Sequence, residues 1–488
     1  MSRKHLQKTP FTQTALIAAL ILAAGCSGAV RPPQKVATAP LYLELPAAAG
    51  ALEPALEERL GRARNGDRIQ VLVDLTRQVD QQALAARVLA DKRERSARRA
   101  DVIDWFETVA NEQQATLEPT LDGWIDEGLI DYYRGVAIVN RLIVEGSPDG
   151  IRRLAGHPAV ARILADTRSP GSGLAERPAS PALGESFTSW ALEALGIDQA
   201  WGRGLDGSGV RVGIIDTGVH GRHEQLADRM AGEGRGWFDP VQGLGEPYDN
   251  NGHGTSVLST AVGRGESRRI GIAPGATWSA ALANWQNRYS RVRMTLAADW
   301  MFRVARPDVL INAWSNPERD VCAGFDLPFI RAWQASGIFV VFPAGNAGPG
   351  DGSGESPAQL LGAFPDGRPV FAVAATRDAG GISDMSSRGP SACGDHPFPR
   401  LSAPGEDLPI AIPVSESGYA PASGTSLSAG VVGGIAALLL QAAPDLEPWE
   451  LEDLLIDTAQ DIPPSGFDGA SGTGNLNLPA ALKALDSR

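Results

Sequence analysis

The sequence predicts an α/β protein with a mostly parallel central sheet, preceded by a small α+β domain. The first observation is that continuous apolar runs alternate with helical segments from Trp190 onward, as in strands buried on both faces of a parallel sheet. These runs are "VRVGIIDTG", "DVLINAW", "GIFVVFPAGN" and "VFAVAAT". The second is a turn-rich stretch at 167–186, "TRSPGSGLAERPASPALGES", which separates this pattern from a shorter mixed region before it.

The first 25 residues predict an export signal. Arg3, Lys4 and Lys8 precede the apolar run "ALIAALILAAG", which is too short to span a bilayer and is followed by Cys26. A cysteine after small residues resembles a bacterial lipoprotein signal, in which Cys26 would carry the lipid and hold the protein on a membrane. The alternative is an ordinary secretory signal cleaved nearby. Residues 26–60, rich in Ala and Pro at their start, are predicted to be a tether.

Residues 61–166 are predicted to form the small α+β domain. Strands are expected at 68–75, 136–146 and 159–166, a long charged helical stretch at 81–117, and a short helix capped by Ser147. Residues 167–189 are the predicted linker and 190–488 the larger domain. The net charge of −13, without a dense Lys/Arg tract, argues against nucleic acid as a partner.

The segment "ASGTSLSAGVVGGIAALLL" (422–440) begins with hydroxyl groups and ends as an apolar helix. Thr and Ser are good N-caps, so a capped core helix is one interpretation. The other is that a hydroxyl, Ser426, lies at a helix N-terminus because negative charge develops beside it during a reaction.

Two further residues could activate such a hydroxyl. Asp216 closes the apolar run "VRVGIID", and reactive residues gather at the carboxyl ends of parallel strands, although an Asp there can also cap a turn. His253 stands between Gly252 and Gly254 at a predicted helix start. A serine becomes a nucleophile when a base takes its proton and a third group orients that base. The order Asp, His, Ser is that of subtilisin.

The chain from about 190 to 482 resembles the subtilisin-family serine peptidases (subtilases). The motifs are "VGIIDTGV", "NGHGTS" and "SGTSLSAG", supported by "GIAPGA", "PAGNAG", "SSRGP", "SAPGE" and "GTGNLNLPAAL". The resemblance implies hydrolysis of polypeptides through an acyl-enzyme, with Asp216 orienting the base, His253 as base and Ser426 as nucleophile. It also implies that Asn346 donates its amide to the oxyanion beside a backbone N–H, although "AGN" would also suit a turn.

The resemblance implies no cofactor for the chemistry. Many relatives bind calcium, but no loop of this sequence allows its ligands to be placed. By its position, the small domain resembles the family's propeptide, and a cut in the linker would release a soluble catalytic domain. The family commonly has a Ser-x-Gly strand that forms a wall of the main specificity pocket. This chain has "LINAWSNPERD" in that region instead, so the substrate preference stays open.

Export alone suggests that Cys322 and Cys393 form a disulfide, although a pair this far apart can also stay free. The sequence leaves two rival functions open. One is a catalytically inactive subtilase fold serving as a binding lipoprotein, and the other is an esterase-like hydrolase that uses the same three residues.

Overall fold

The computed structural model describes residues 42–47, 52–64, 66–170, 184–286, 288–315, 322 and 324–488. The predicted signal and Cys26 lie outside these residues, as does most of the linker. All the described residues belong to one compact unit, Pro40–Arg488.

The N-terminal part is built around a four-stranded antiparallel sheet with the strand order β4-β5-β2-β6. In the central strand, Val71 lies opposite Val144 on one side and Ala165 on the other. The elements, in chain order, are β1 (Tyr42–Glu44), α1 (Pro54–Arg62), β2 (Ile69–Leu75), β3 (Arg77–Val79), α2 (Gln81–Ala90), α3 (Arg95–Asp126), β4 (Ile130–Val136), β5 (Arg141–Gly146), α4 (Pro148–Ala155), β6 (Val160–Ala165) and β7 (Arg168–Pro170).

Three details of this part differ from the prediction. The predicted tether (26–60) extends too far, because β1 pairs with β3 and the helix α1 buries Leu56 and Leu60 against the sheet. The helical stretch at 81–117 is two helices, α2 and α3. The predicted strand at 136–146 is instead the end of one strand and the whole of the next. The Ser147 cap is confirmed, since its side chain accepts from the Gly150 N–H.

The larger part contains a seven-stranded, all-parallel sheet, which confirms the predicted fold class. The strand order is β10-β12-β9-β14-β15-β18-β19. Its elements include β8 (Phe187–Thr188), α5 (Trp190–Ala194), α6 (Ile197–Gly202), β9 (Arg211–Asp216), β10 (Trp237–Phe238), α7 (His253–Val262), β11 (Arg268–Arg269), β12 (Thr277–Leu282), β13 (Arg288–Ser290), α8 (Arg291–Trp300), a π-helix (Met301–Ala305), β14 (Val309–Ile311), α9 (Leu327–Ala335), β15 (Phe339–Pro343), β16 (Leu361–Ala363), β17 (Arg368–Pro369), β18 (Ala372–Thr376), β19 (Leu401–Pro404), β20 (Leu408–Ile412), β21 (Gly418–Ala422), α10 (Thr425–Ala442), α11 (Pro448–Asp457) and α12 (Leu478–Asp486).

Alternate residues of the central strands enter two different hydrophobic layers. In β14, Val309 and Ile311 pack with α7 and α10 on one face, while Leu310 packs with α8 and α9 on the other. This explains the continuous apolar runs in the sequence, because both faces of the sheet are covered by helices.

The helix α10 runs through the first of these layers. Among the described helices, it alone is long and apolar enough to cross a membrane, but 89% of that stretch is buried inside the fold. Its apolar composition is therefore explained by its position in the core.

Cys322 and Cys393 form a disulfide, with their Cα atoms 5.4 Å apart. The bond joins positions 71 residues apart in the sequence. It connects the segment between β14 and α9 to the segment between β18 and β19.

Replacing both cysteines with serine is expected to lower the stability to unfolding. A crosslink over a loop of this length restricts the unfolded chain, and removing a native disulfide costs about 2–5 kcal/mol. The measurement is the denaturant midpoint, with and without reductant. The reduced parent should match the oxidised double variant, and the variant should be insensitive to reductant. Equal midpoints for the oxidised parent and the variant would contradict the expectation.

Candidate active site

The three predicted reactive residues lie together at the carboxyl edge of the parallel sheet. Asp216 ends β9, His253 is the first residue of α7 and Ser426 is the second residue of α10. Asp216 Oδ1 is 2.7 Å from His253 Nδ1, and His253 Nε2 is 3.2 Å from Ser426 Oγ. With the tautomer assigned from these partners, Nδ1–H donates to the carboxylate and the serine hydroxyl donates to Nε2. All three side chains are buried.

Backbone N–H groups after β12, and that of the next residue in the chain, hold Asp216 in place. The backbone N–H groups of Ala283 and Asn284 donate to the Asp216 carbonyl, and the Thr217 N–H donates to its Oδ1. Asp216 Oδ2 is buried and has no hydrogen-bond partner among the described residues. The described partners of the carboxylate, including the imidazole, therefore meet at a single oxygen.

Two glycines allow His253 to approach Asp216. Gly252 caps the helix with a φ of 96°, in the left-handed region that favours glycine. A Cβ on Gly254 would lie 2.1 Å from the Gly218 carbonyl oxygen, so no larger residue fits. Gly252 and Gly254 therefore let the backbone pack closely beneath the imidazole.

The charges around His253 favour its protonated form. Burial disfavours the imidazolium, but the nearby Asp216 carboxylate and its hydrogen bond to the ring outweigh that effect, with a smaller contribution from Asp249. The pKa of His253 is therefore raised above its ordinary value. Asp249 itself accepts from the Gly252 and Thr255 N–H groups, which fixes the start of α7.

Ser426 lies in the first turn of α10, where backbone N–H groups have no partner within the helix. The Leu427 N–H donates to the Gly424 carbonyl, while the Ser426 N–H has no acceptor among the described residues. Ser426 Oγ is also 3.5 Å from the Ala313 carbonyl oxygen, at the end of the neighbouring strand. The hydroxyl thus lies beside an unused donor at a helix N-terminus.

Asn346 follows β15 and reaches the same helix. Its Oδ1 accepts from both the N–H and the hydroxyl of Thr425, each at 2.9 Å, so its NH₂ group is directed away from Thr425. The Thr425 hydroxyl also accepts from the Gly345 N–H. This role of Thr425 was not predicted, although its place immediately before Ser426 in "GTS" was a signal for it.

The segment with the unusual "LINAWSNPERD" sequence contacts Ser426 through the carbonyl of Ala313. Trp314 follows Ala313 and is buried, with its ring centroid 6.0 Å from that of Tyr289 and 5.5 Å from that of Phe342. Asn316 and Pro317 lie outside the described residues. Within the part of the chain that the structure describes, no three His, Cys, Asp or Glu side chains form a group that could hold a metal ion.

Similar proteins were found by sequence. The chain is 29% identical over 428 residues to bacillopeptidase F of Bacillus subtilis (strain 168), which covers 80% of this chain and 29% of that protein. It is 32% identical over 312 residues to the serine protease AprX of the same organism, covering 57% of this chain and 68% of the relative. It is 27% identical over 305 residues to the minor extracellular protease Epr, also of that organism, covering 62% of this chain and 43% of the relative.

The chain thus spans less than a third of bacillopeptidase F and less than half of Epr. A family model described as the subtilase family, Peptidase S8, matches residues 207–474, which is more than half of the sequence and includes Asp216, His253 and Ser426. On this match, and on that to AprX, the chain belongs to the subtilase family of serine proteases.

Proposed function

We propose that this chain is an exported serine endopeptidase that cuts polypeptides through an acyl-enzyme on Ser426. The observation that carries the proposal is the continuous hydrogen-bonded path from Asp216 through His253 to Ser426, with Asn346 beside it. In an inactive scaffold, nothing would require these four side chains to meet at one edge of the sheet.

The proposed reaction proceeds in two halves. His253 Nε2 takes the proton of Ser426 as Oγ attacks the substrate carbonyl, and Asp216 stabilises the imidazolium that forms. The Ser426 N–H and the Asn346 amide hold the oxyanion. His253 then gives its proton to the leaving amine, and a water activated by the same imidazole releases the acyl group, which restores the free serine.

We extend the proposal to the N-terminal part, which would act as a propeptide until the linker is cut. The strand β7, at its end, pairs antiparallel with β13, so that Ser169 lies opposite Tyr289. Tyr289 in turn contacts Trp314, the neighbour of Ala313 at the reactive serine. The pairing supports the interpretation that β7 covers an approach to the cleft.

The lipid anchor on Cys26 is also a proposal. It is supported by the charged, apolar and small-residue order of the first 26 residues. Incorporation of labelled palmitate into the parent and its loss in Cys26→Ala would support the anchor, whereas export of an unlabelled parent would indicate an ordinary secretory signal.

The experiment that tests the function is labelling with a fluorophosphonate probe, followed by peptide mass mapping and N-terminal sequencing. The label is expected on Ser426 of a shortened chain and is expected to be lost in Ser426→Ala. Ser428→Ala is the matched control, because Ser428 is equally buried and bonds to the Ala403 carbonyl instead. A folded, processed chain without label would favour the binding scaffold, and turnover of esters without peptides would favour the esterase.

Asn346→Ala is expected to lower kcat by about 10²–10³, the loss known for the oxyanion donor of subtilisin, with little change in KM. Thr425→Val removes one of the two hydrogen bonds that orient Asn346 and should give a smaller loss in the same parameter. Steady-state kinetics on one peptide substrate would rank the parent and the two variants. An unchanged kcat in Asn346→Ala would remove this residue from the proposed oxyanion site.

A further inference from the structure

We propose that the Glu355 carboxylate selects polypeptides with a lysine or an arginine immediately before the bond that is cut. This inference rests on the proposed function and adds a substrate class to the same site. It starts from one observation, an acidic side chain that has no cationic partner among the described ion pairs and lies against Gly345 and Asn346.

Glu355 packs against the segment that follows β15. Its backbone N–H donates to the Ala344 carbonyl, and its Oε1 accepts from the Asn346 backbone N–H at 3.4 Å. A Cβ on Gly345 would lie 2.7 Å from the Glu355 Cγ, so the Glu355 side chain fills the space that a larger residue at 345 would need. The glycine in "AGN" therefore allows the carboxylate to lie beside Asn346.

This position borders the substrate residue whose carbonyl is attacked. In the proposed reaction the oxyanion is held by the Ser426 N–H and the Asn346 amide. The Cα of the attacked residue is bonded to the carbonyl carbon, about 1.5 Å away, so its side chain begins next to these donors. Asn346 bonds to Thr425 through its side chain and to Glu355 through its backbone. A side chain as long as that of lysine or arginine therefore extends into the region that the carboxylate borders.

The charge of Glu355 is not matched within its own chain. Among the described ion pairs it has no Lys, Arg or His partner, and its side chain has one described hydrogen bond, the one from Asn346. Arg388 belongs to the neighbouring loop, because Ser353 donates to its carbonyl and accepts from its N–H, but no described ion pair joins Arg388 to Glu355. The carboxylate is half-buried, and a cation supplied by the substrate would complete the pair.

The same carboxylate disfavours other substrates. An apolar side chain would displace water from the carboxylate without offering it a hydrogen bond, and an acidic side chain would be repelled by it. A guanidinium or an ammonium group instead brings several N–H donors. Because Glu355 lies 9 residues after Asn346 and outside the unusual "LINAWSNPERD" segment, it supplies a preference that the segment alone left open.

The test compares four peptides that differ only in the residue before the cut bond: lysine, arginine, norleucine and glutamate. Norleucine has the straight carbon chain of lysine without its charge. The linker is first cut by an added protease, which is then removed, and rates are divided by the amount of Ser426 that a fluorophosphonate probe labels. We expect kcat/KM for lysine and arginine to be about 10- to 100-fold above that for norleucine, with glutamate lowest. Values for lysine and arginine no higher than that for norleucine would overturn the proposal.

Glu355→Gln removes the charge but keeps an acceptor for the Asn346 N–H. Its kcat/KM for lysine and arginine should fall to near the value for norleucine, on which the variant and the parent should be alike. Asp351→Asn is the matched control, because it removes an exposed carboxylate from the same loop and should leave the preference unchanged. A preference that persists in Glu355→Gln would overturn the proposal. An equal fall on all four peptides would also overturn it, since Glu355 would then only position Asn346.

Binding to Ser426→Ala tests the preference without the reaction. With the linker cut in the same way, fluorescence anisotropy should give a Kd about tenfold lower for the lysine peptide than for the norleucine peptide, and Glu355→Gln added to this variant should remove the difference. Binding of the lysine peptide no tighter than that of norleucine would overturn the inference. A clear preference in binding, with no hydrolysis of any peptide by the parent, would uphold the selection by Glu355 and count against the proposed function.

Discussion

Ser426→Ala and His253→Ala are each expected to lower kcat by about 10⁶, and the double variant is expected to be no worse than either single one. The reason is that the two side chains act as one unit. Without the imidazole the hydroxyl keeps its proton, and without the hydroxyl the imidazole has no nucleophile to activate. The size of the loss and its non-additivity are those of subtilisin, a member of the same family.

Single-turnover kinetics on a peptide substrate would measure these losses, with each variant cut at the linker by an added protease so that a blocked cleft is not mistaken for lost chemistry. Ser428→Ala, two residues along the same helix, should retain most of the parent rate. Losses that multiply in the double variant would show that the two residues act independently, contrary to the proposed mechanism.

Asp216→Asn is expected to lower kcat by about 10⁴, because an amide at this position can donate to Nδ1 and hold the imidazole in the wrong tautomer. The short contact at Oδ1 and the burial of the side chain leave little room for the amide to turn away. Rates of the folded variant, measured beside the parent, would test this, with circular dichroism to verify the fold.

The same variant should move the acid limb of the pH–rate profile to lower pH. His253 must be neutral to accept the serine proton, so activity falls as the pH falls through its pKa. In the parent that pKa is raised mainly by the Asp216 charge, against the effect of burial. Removing the charge lowers the pKa, and the residual activity should persist to lower pH. An acid limb that stays in place would mean that another group controls it.

The fold class and the meeting of Asp216, His253 and Ser426 could be predicted because each signal is local. An apolar run that ends in Asp, a histidine between glycines and a serine before an apolar helix are all visible within ten residues. The orientation of Asn346 by Thr425 could not be predicted in this way, since it depends on two elements that are 79 residues apart.

The N-terminal part shows where local signals are insufficient. Arg98 lies in "KRERSARR", a charged pattern typical of a solvent-facing helix, yet it bonds to the Glu447 carboxylate 349 residues away. Likewise, alternation in "RIQVLVDL" indicates one buried face, whereas six of the seven residues of β2 are buried. The second face is covered by the larger part, and no window of sequence around β2 contains that information.

This covered second face has a consequence for synthesis on the ribosome. The strands of the small sheet emerge first, but the helices that close their outer face, α8 and α9, are translated long afterwards. Arg141 of β5, for example, donates to the hydroxyl of Thr295 of α8, 154 residues later. Until those helices leave the exit tunnel, the nascent chain exposes the apolar surface that they later cover, which is the kind of surface that chaperones bind. A chain truncated before residue 291 is therefore expected to be aggregation-prone rather than an independently folded domain.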